Sequence, residues 1–316
     1  MVLRIGIYGF GSIGRLVFQE AVRRGYEVVG VIDIREDIVG RDAGVVAGIG
    51  EYGVEVSSEP YSLVDSDVVV HATTSFLDEA YDQLVRVIEM GIDLVSTCET
   101  LAYPYYRYPV LARKLHYEAI RNNVSVIGSG INPGFLLDTL AVVLATTVTR
   151  VYKIEAIRSL DASKRRESFR KKIGIGLEPR VAREKLGSRE LTGHVGYAES
   201  VYLVADALGV ELERVDENQE VVVENGVVKG IRGYGVGYSN GRELIRIEFH
   251  AYTGAEEYEE IRIHGKDYTV TWRSNGTLGD QGTVAVVLAI AEKIKDYPPG
   301  LLTITDLLPF KPWIEI

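Results

Sequence analysis

The chain has 316 residues, 46% hydrophobic and 25% charged, which is long enough for two domains with separate cores. Its formal net charge of -10 argues against nucleic-acid binding, because phosphate neutralisation needs a net basic face. A single cysteine cannot form an internal disulfide and fits a reducing cytoplasm; glycines interrupt the apolar start before a signal peptide could form, and no stretch approaches the ~20 apolar residues of a membrane span.

Residues 2–8 form a short apolar run that reads as a buried strand, 13–24 an amphipathic helix, and 27–32 a second strand. Gly9-Phe10-Gly11-Ser12-Ile13-Gly14 joins the first two. In that pattern Gly9 permits the tight turn, Gly11 lets backbone approach a pyrophosphate, and Gly14 lets helix pack on strand. The helix start at Ser12 and Ile13 offers N–H groups and a positive dipole end to phosphates. Asp33 closes the second strand about 20 residues on, where a carboxylate meets the adenosine ribose. It favours NAD, whereas Arg35 and Arg41 could each pair with a 2′-phosphate, so the choice between NAD and NADP stays open.

Farther along, 66–75 reads as a third strand, and "FLDEAYDQLVRVIEMG" as a helix closed by Gly91. A strand at 92–97, a helix at 109–122 and a strand in "VSVIGSGINPGF" follow. This alternation predicts a doubly wound parallel sheet, which binds ligands beyond the carboxyl ends of its strands. His71-Ala72-Thr73-Thr74, Cys98-Glu99 and Gly130-Ile131-Asn132-Pro133 fall at such ends. Thr73, Thr74, Cys98 and Asn132 are therefore candidate cofactor contacts. Glu99 can be a solvated loop residue, a cap for the next helix, or a catalytic acid; its place on the cofactor edge favours the last.

After Phe135 the pattern changes. "LLDTLAVVLATTV" reads as a helix, and "RVYKIEAIRSL" as a strand with one wet face in a partly antiparallel sheet. "DASKRRESFRKKIG" reads as a basic helix with a solvated face, and "LIRIEFHAYTG" and "EEYEEIRIHG" as paired strands followed by "KDYTVTWRSNG". "DQGTVAVVLAIAEKIKDYPPG" reads as a long helix returning to the first domain. The expected fold is α/β: a Rossmann-type parallel-sheet domain, residues 1–135 plus about 282–316, with an inserted α+β substrate and oligomerisation domain at 136–281. None of the 5 histidines has a partner at metal-ligand spacing, so no metal site is expected.

Five segments, "GFGSIGR", "STCETLAYP", "GSGINPGFLLDTL", "GHVGYAES" and "PPGLLTITDLLP", together resemble the 2,4-diaminopentanoate dehydrogenases and native amine dehydrogenases. That group shares its plan with dihydrodipicolinate reductase. The resemblance implies reversible NAD(P)-linked oxidative deamination of an amine, with reductive amination of a ketone by ammonia as the reverse, and a homodimer as the usual state. It makes Glu99 the catalytic carboxylate and puts Asn132-Pro133-Gly134 against the nicotinamide or over the pocket. Pro133 and Phe135 then lie beside the substrate, and His194 is a substrate contact or proton carrier, unless it is only a hydrogen-bonded residue at a helix start. The His-His-x-x-Lys signature of dihydrodipicolinate reductase is absent, which disfavours its dicarboxylate substrate. The motifs leave open which amine is used. A dehydrogenase of another small amino acid or semialdehyde, or a non-catalytic dinucleotide-binding protein, are the competing readings; the second has no need of Glu99.

Overall fold

The computed structural model describes residues 2–309. They fall into two compact units, one of residues 2–131 and 278–307, the other of 132–277 and 308–309.

The first unit runs β1 (Arg4–Tyr8), α1 (Ser12–Arg23), β2 (Glu27–Ile32), α2 (Ala43–Ala47), β3 (Val56–Ser57), β4 (Val68–His71), α3 (Leu77–Glu89), β5 (Asp93–Ser96), α4 (Pro104–Arg107), α5 (Pro109–Arg121) and β6 (Ser125–Gly128). Runs of Val and Ile, apolar on both faces, make strands that survive only when covered on both sides. α3 supplies part of that cover. Leu77, Ala80, Leu84, Val87 and Ile88 recur at helical spacing and are all buried, while Asp78 and Glu79 in its first turn and Arg86 in its last complement the helix dipole.

The second unit contains α6 (Thr139–Ala145), β7 (Val151–Asp161), α7 (Glu167–Lys172), α8 (Pro179–Gly187), α9 (Tyr197–Leu208), β8 (Arg214–Glu224), β9 (Val227–Ser239), β10 (Arg242–Tyr252), β11 (Tyr258–Gly265) and β12 (Thr269–Ser274). The chain then returns to the first unit with α10 (Gly279–Ala291) and β13 (Gly300–Leu302).

All strands of the first unit pair in parallel, in the order β13-β6-β5-β4-β1-β2-β3. The chain steps outward from β1 to β3 and then resumes on the other side of β1 with β4. That reversal is the switch point where such sheets open a crevice for a ligand. β13, in the segment "PPGLLTITDLLP", extends the far edge.

The second sheet is mixed, in the order β12-β11-β7-β10-β9-β8. One face packs against α6 and α9, with Ile154, Ala156, Ile245, Ile247 and Ile263 meeting Val201, Val204 and Leu208. Three expectations are corrected here. β10 and β11 do not pair with each other: β7 lies between them, parallel to β10 and antiparallel to β11. Alternating polarity tells a strand which face to bury, not which neighbour to take. The basic segment is not one helix; Asp161 caps a single 3-10 turn at Ala162–Lys164, and α7 follows separately. The long helix to residue 300 stops at Ala291, before a 3-10 turn at Ile294–Asp296.

The hairpin β8–β9 is marked in sequence by Asn225-Gly226, both at positive φ as a tight primed turn demands. Its second strand is disguised by glycines. Gly233, Gly235 and Gly237 lie where α9 presses on the sheet, and a Cβ on Gly235 would come within 2.8 Å of the Tyr197 carbonyl oxygen.

Candidate active site

The glycine turn is shaped by contact on two sides and left open on the third. A Cβ on Gly14 would lie 1.9 Å from the Gly9 oxygen, and one on Gly9 would lie 2.6 Å from the Ala72 oxygen. Gly9 also sits at φ +97°, costly for any side chain. A Cβ on Gly11 would meet nothing within 4 Å, so the backbone there faces open space. No side chain caps α1, and its first N–H groups belong to Ser12 and Ile13. An uncapped helix start behind a bare glycine fits a pyrophosphate.

Asp33 lies beside that turn. Its Oδ2 accepts the Phe10 N–H at 2.8 Å, and its Oδ1 accepts the Arg35 N–H at 2.9 Å and the Arg35 Nε–H at 3.3 Å. The Phe10 carbonyl receives Arg15 Nε at 3.1 Å and Arg35 Nη2 at 3.2 Å. Two guanidinium groups and one carboxylate thus converge on one loop. Arg41 instead donates to the Asp37 carbonyl at 3.2 Å. Arg15 was not singled out in the sequence, although it directly follows Gly14; nothing local says that a first-turn arginine folds back over the loop.

At the ends of β4 and β5 a buried polar network fixes the backbone. His71 is fully buried, with Nδ1 2.8 Å from Ser96 Oγ and Nε2 2.8 Å from Gln83 Oε1. The Gln83 oxygen can only accept, so this network assigns the proton to Nε2 and makes Nδ1 the acceptor from Ser96. Ser96 Oγ accepts in turn from the Cys98 N–H at 3.1 Å. Thr73 Oγ1 donates to the same Gln83 oxygen at 2.7 Å, and the Thr74 hydroxyl to Glu79. Burial pushes the His71 imidazole down to about 4, which keeps it neutral and the network intact.

Cys98 and Glu99 part company at this point. The Cys98 side chain lies in the core beneath the sheet end, near Thr100, and burial pushes its thiol up to about 12. Its backbone is engaged as well, the N–H with Ser96 Oγ and the carbonyl with the Leu101 N–H. Glu99 is half-buried and opens the 3-10 turn Glu99–Leu101, for which Cys98, not Glu99, is the N-cap residue. The turn is stitched to the loop after β4, since the Thr100 N–H donates to the Ser75 carbonyl at 3.1 Å and Thr100 Oγ1 accepts the Leu77 N–H at 2.8 Å.

The remaining candidates lie in the second unit. Asn132 is half-buried, Pro133 buried and Phe135 38% exposed, in the turn before α6. His194 precedes α9, with its N–H on Gln219 Oε1 at 2.7 Å and its ring stacked on Phe249 at 4.4 Å and edge-on to Tyr197 at 4.7 Å. Burial, then the nearby Lys172 and Arg158, push it down to about 3, so it is neutral at ordinary pH. Thus Gly9, Gly11, Ser12, Ile13, Gly14, Asp33, Arg35, Thr73, Thr74 and Glu99 share one sheet's carboxyl edge, whereas Asn132, Pro133, Phe135 and His194 belong to the other unit. Among the described residues no cluster of His, Cys, Asp or Glu could hold a metal ion, and no helix is long and apolar enough to cross a membrane.

Residues 135–314 match the family described as the 2,4-diaminopentanoate dehydrogenase C-terminal domain, and residues 3–98 match that described as dihydrodipicolinate reductase, N-terminus. The chain is 29% identical to the 2,4-diaminopentanoate dehydrogenase of Acetoanaerobium sticklandii, over 77% of this chain and 74% of that protein. It is 42% identical to the 4-hydroxy-tetrahydrodipicolinate reductase of Archaeoglobus fulgidus, but over only 29% of this chain and 35% of that one. The fold matches that of an amine dehydrogenase from Mycobacterium smegmatis with a TM-score of 0.87, at 18% identity and 98% coverage of both chains.

Proposed function

The chain belongs to the family defined by the 2,4-diaminopentanoate dehydrogenase C-terminal domain, and from that premise we propose that it is an NAD(P)-dependent amine dehydrogenase. It interconverts a small amine with its ketone and ammonia. The observation that carries this reading is Glu99: a half-buried carboxylate on a pinned turn, at the carboxyl edge of a dinucleotide-type sheet.

When bound along the Gly9–Gly14 turn and Asp33, NAD(P) would supply the acceptor for the hydride that leaves the amine carbon. The protein's own contribution follows from charge. Glu99 binds the substrate ammonium, takes the proton that must leave before hydride departs and releases it to solvent, and as a carboxylate again stabilises the iminium cation that results. It then accepts a proton from the water that adds to the iminium carbon, after which ammonia leaves and the ketone remains. A neutral His194 cannot donate a proton readily at pH 7, so its role here is substrate contact through ring face and ring nitrogen. Pro133 and Phe135 are the other substrate contacts in this proposal, and Asn132 a cofactor contact.

The direct test is reduction of NAD⁺ or NADP⁺ on addition of a panel of diamines, amino acids and plain alkylamines. Activity with none of them, in protein that binds the cofactor, overturns the proposal. A substrate bearing a second charged group should show a lower KM than a plain alkylamine; higher efficiency with cyclohexylamine would point to the broader amine-dehydrogenase branch instead.

Arg35, joined by Arg15, is the reader of a 2′-phosphate in this proposal. Both guanidinium groups already converge on the Phe10 carbonyl beside Asp33. A charge-assisted bond to phosphate contributes about 1.5–3 kcal/mol, so Arg35→Ala should weaken NADPH binding roughly 10- to 100-fold and NADH far less. Arg41→Ala serves as the comparison. Equal losses for both cofactors in Arg35→Ala would remove the arginine from this role.

We further propose a cytoplasmic homodimer built on the sheet face opposite α6 and α9. That face carries an alternating charge ladder in which Lys153 bridges Glu155 and Glu243, and Glu243 pairs with Arg246. Such a pattern is self-complementary under two-fold symmetry. Sedimentation should give twice the monomer mass, and Arg246→Glu with its like charges should shift the protein toward monomer; a monomeric wild type would exclude the arrangement.

A further inference from the structure

Two of the motif segments meet at one carboxylate that the mechanism above does not use. Asp138, in "GFLLDTL", and Ser200, in "GYAES", are both fully buried in the second unit. Asp138 Oδ2 accepts the Ser200 hydroxyl at 2.7 Å and the Gly134 N–H at 2.8 Å, while Oδ1 accepts the Thr139 N–H at 2.6 Å. The Gly134 carbonyl is held from the other side by Thr139 Oγ1 at 2.8 Å. Pro133 is pressed by Gly196, where a Cβ would come within 2.6 Å of its ring. The turn at 132–134 is therefore gripped at its Gly134 N–H by Asp138, at its Gly134 carbonyl by Thr139 and at its proline ring by Gly196, two residues after His194, with Ser200 of that same segment tied to Asp138.

As a helix cap, Asp138 is unlike others in this chain. Asp42 and Glu178 cap α2 and α8 without being buried, and the N–H donors of Val45 and Arg180 hold their carboxyls below the usual range. Burial pushes Asp138 the other way, against its donors from Gly134, Ser200 and Thr139. Capping alone does not require burying a carboxylate, which is costly when, as among the described residues here, its partners are neutral donors. What the buried position adds is the bond to Ser200 across 62 residues of sequence.

We propose that Asp138 and Ser200 are positioning residues for substrate affinity: they fix the Asn132–Pro133–Gly134 turn against the His194 segment, so that the pocket wall for the substrate tail exists before the amine arrives. This rests on the dehydrogenase reading above. Holding a wall in place acts on binding and not on the hydride step, so its loss should appear in KM.

Ser200→Ala removes one hydroxyl and leaves the cap bond to Thr139. It should raise KM for the amine about tenfold, with kcat and the NADPH dissociation constant within about twofold of wild type. Hydrogen exchange over residues 131–137 should quicken selectively. Asp138→Asn, which turns an N–H toward one of the donors, should move both readouts further the same way. A lowered melting temperature with unchanged KM and unchanged exchange at 131–137 would overturn the proposal and leave a purely structural cap. Wild-type protein that turns over no amine would instead strike the dehydrogenase reading, and with it the affinity role, a result separable from an active wild type with an indifferent Ser200→Ala.

Discussion

Glu99→Gln should lower the turnover number for amine oxidation by at least about 100-fold while NAD(P)H affinity changes little. The substitution keeps the shape of the side chain and removes the charge that stabilises the iminium and accepts the proton. General acid–base catalysis contributes about 10²–10⁴-fold, equivalent to roughly 3–5 kcal/mol of barrier. The fold gives a reason to expect little loss of stability. Cys98, not Glu99, is the N-cap residue of the 3-10 turn, and the turn is held by Thr100 and by Ser96 through the Cys98 N–H. Turnover, cofactor affinity and melting temperature measured on one preparation separate the roles. A folded Glu99→Gln enzyme with near-normal turnover would end the catalytic assignment.

The second large effect is on stability against acid. His71 is held neutral in the folded protein at about 4, below the value near 6.5 that it takes when the chain unfolds. Below pH 6.5 the unfolded chain therefore binds a proton that the folded one refuses. The stability contributed by the neutral ring is fully present above pH 6.5 and is lost as pH falls from 6.5 toward 4. Between pH 7 and pH 5 the loss from this one residue is about 2 kcal/mol. His194, held down to about 3, acts in the same direction. Denaturant midpoints at several pH values report the slope, and His71→Gln, which cannot titrate, should flatten it by close to one proton. An identical slope in variant and wild type would show that His71 does not set the acid limit.

His71 also shows where sequence reading stops. In "SDVVVHATTS" it reads as the first polar residue at a strand end, a place for ligand contacts. In the fold it points inward and joins Ser96 and Gln83, and so locks the backbones that carry Thr73 and Glu99. Cys98 and Glu99 make the same point within two residues. Both stand at the end of β5, but one thiol enters the core and the next carboxylate stays half-exposed. Direction at a strand end depends on the turn that follows, here pinned by Thr100 to the loop after another strand.

What the sequence determined by itself was local. Val- and Ile-rich runs alternating with amphipathic segments specify the strands and helices of the parallel sheet, because hydrophobic period and backbone conformation are written residue by residue. Gly9 to Gly14 and Asp33 are legible as candidates for the same reason: each answers to a turn or a strand end a few residues away. The tertiary structure alone decided the rest. It set β7 between β10 and β11, packed α9 against the glycines of β9, folded Arg15 onto the Phe10 carbonyl beside Asp33, and joined Asp138 to Ser200. None of these has a local signature. Each is a contact between segments distant in the chain, chosen by which surfaces and polar groups must be satisfied together once the core closes.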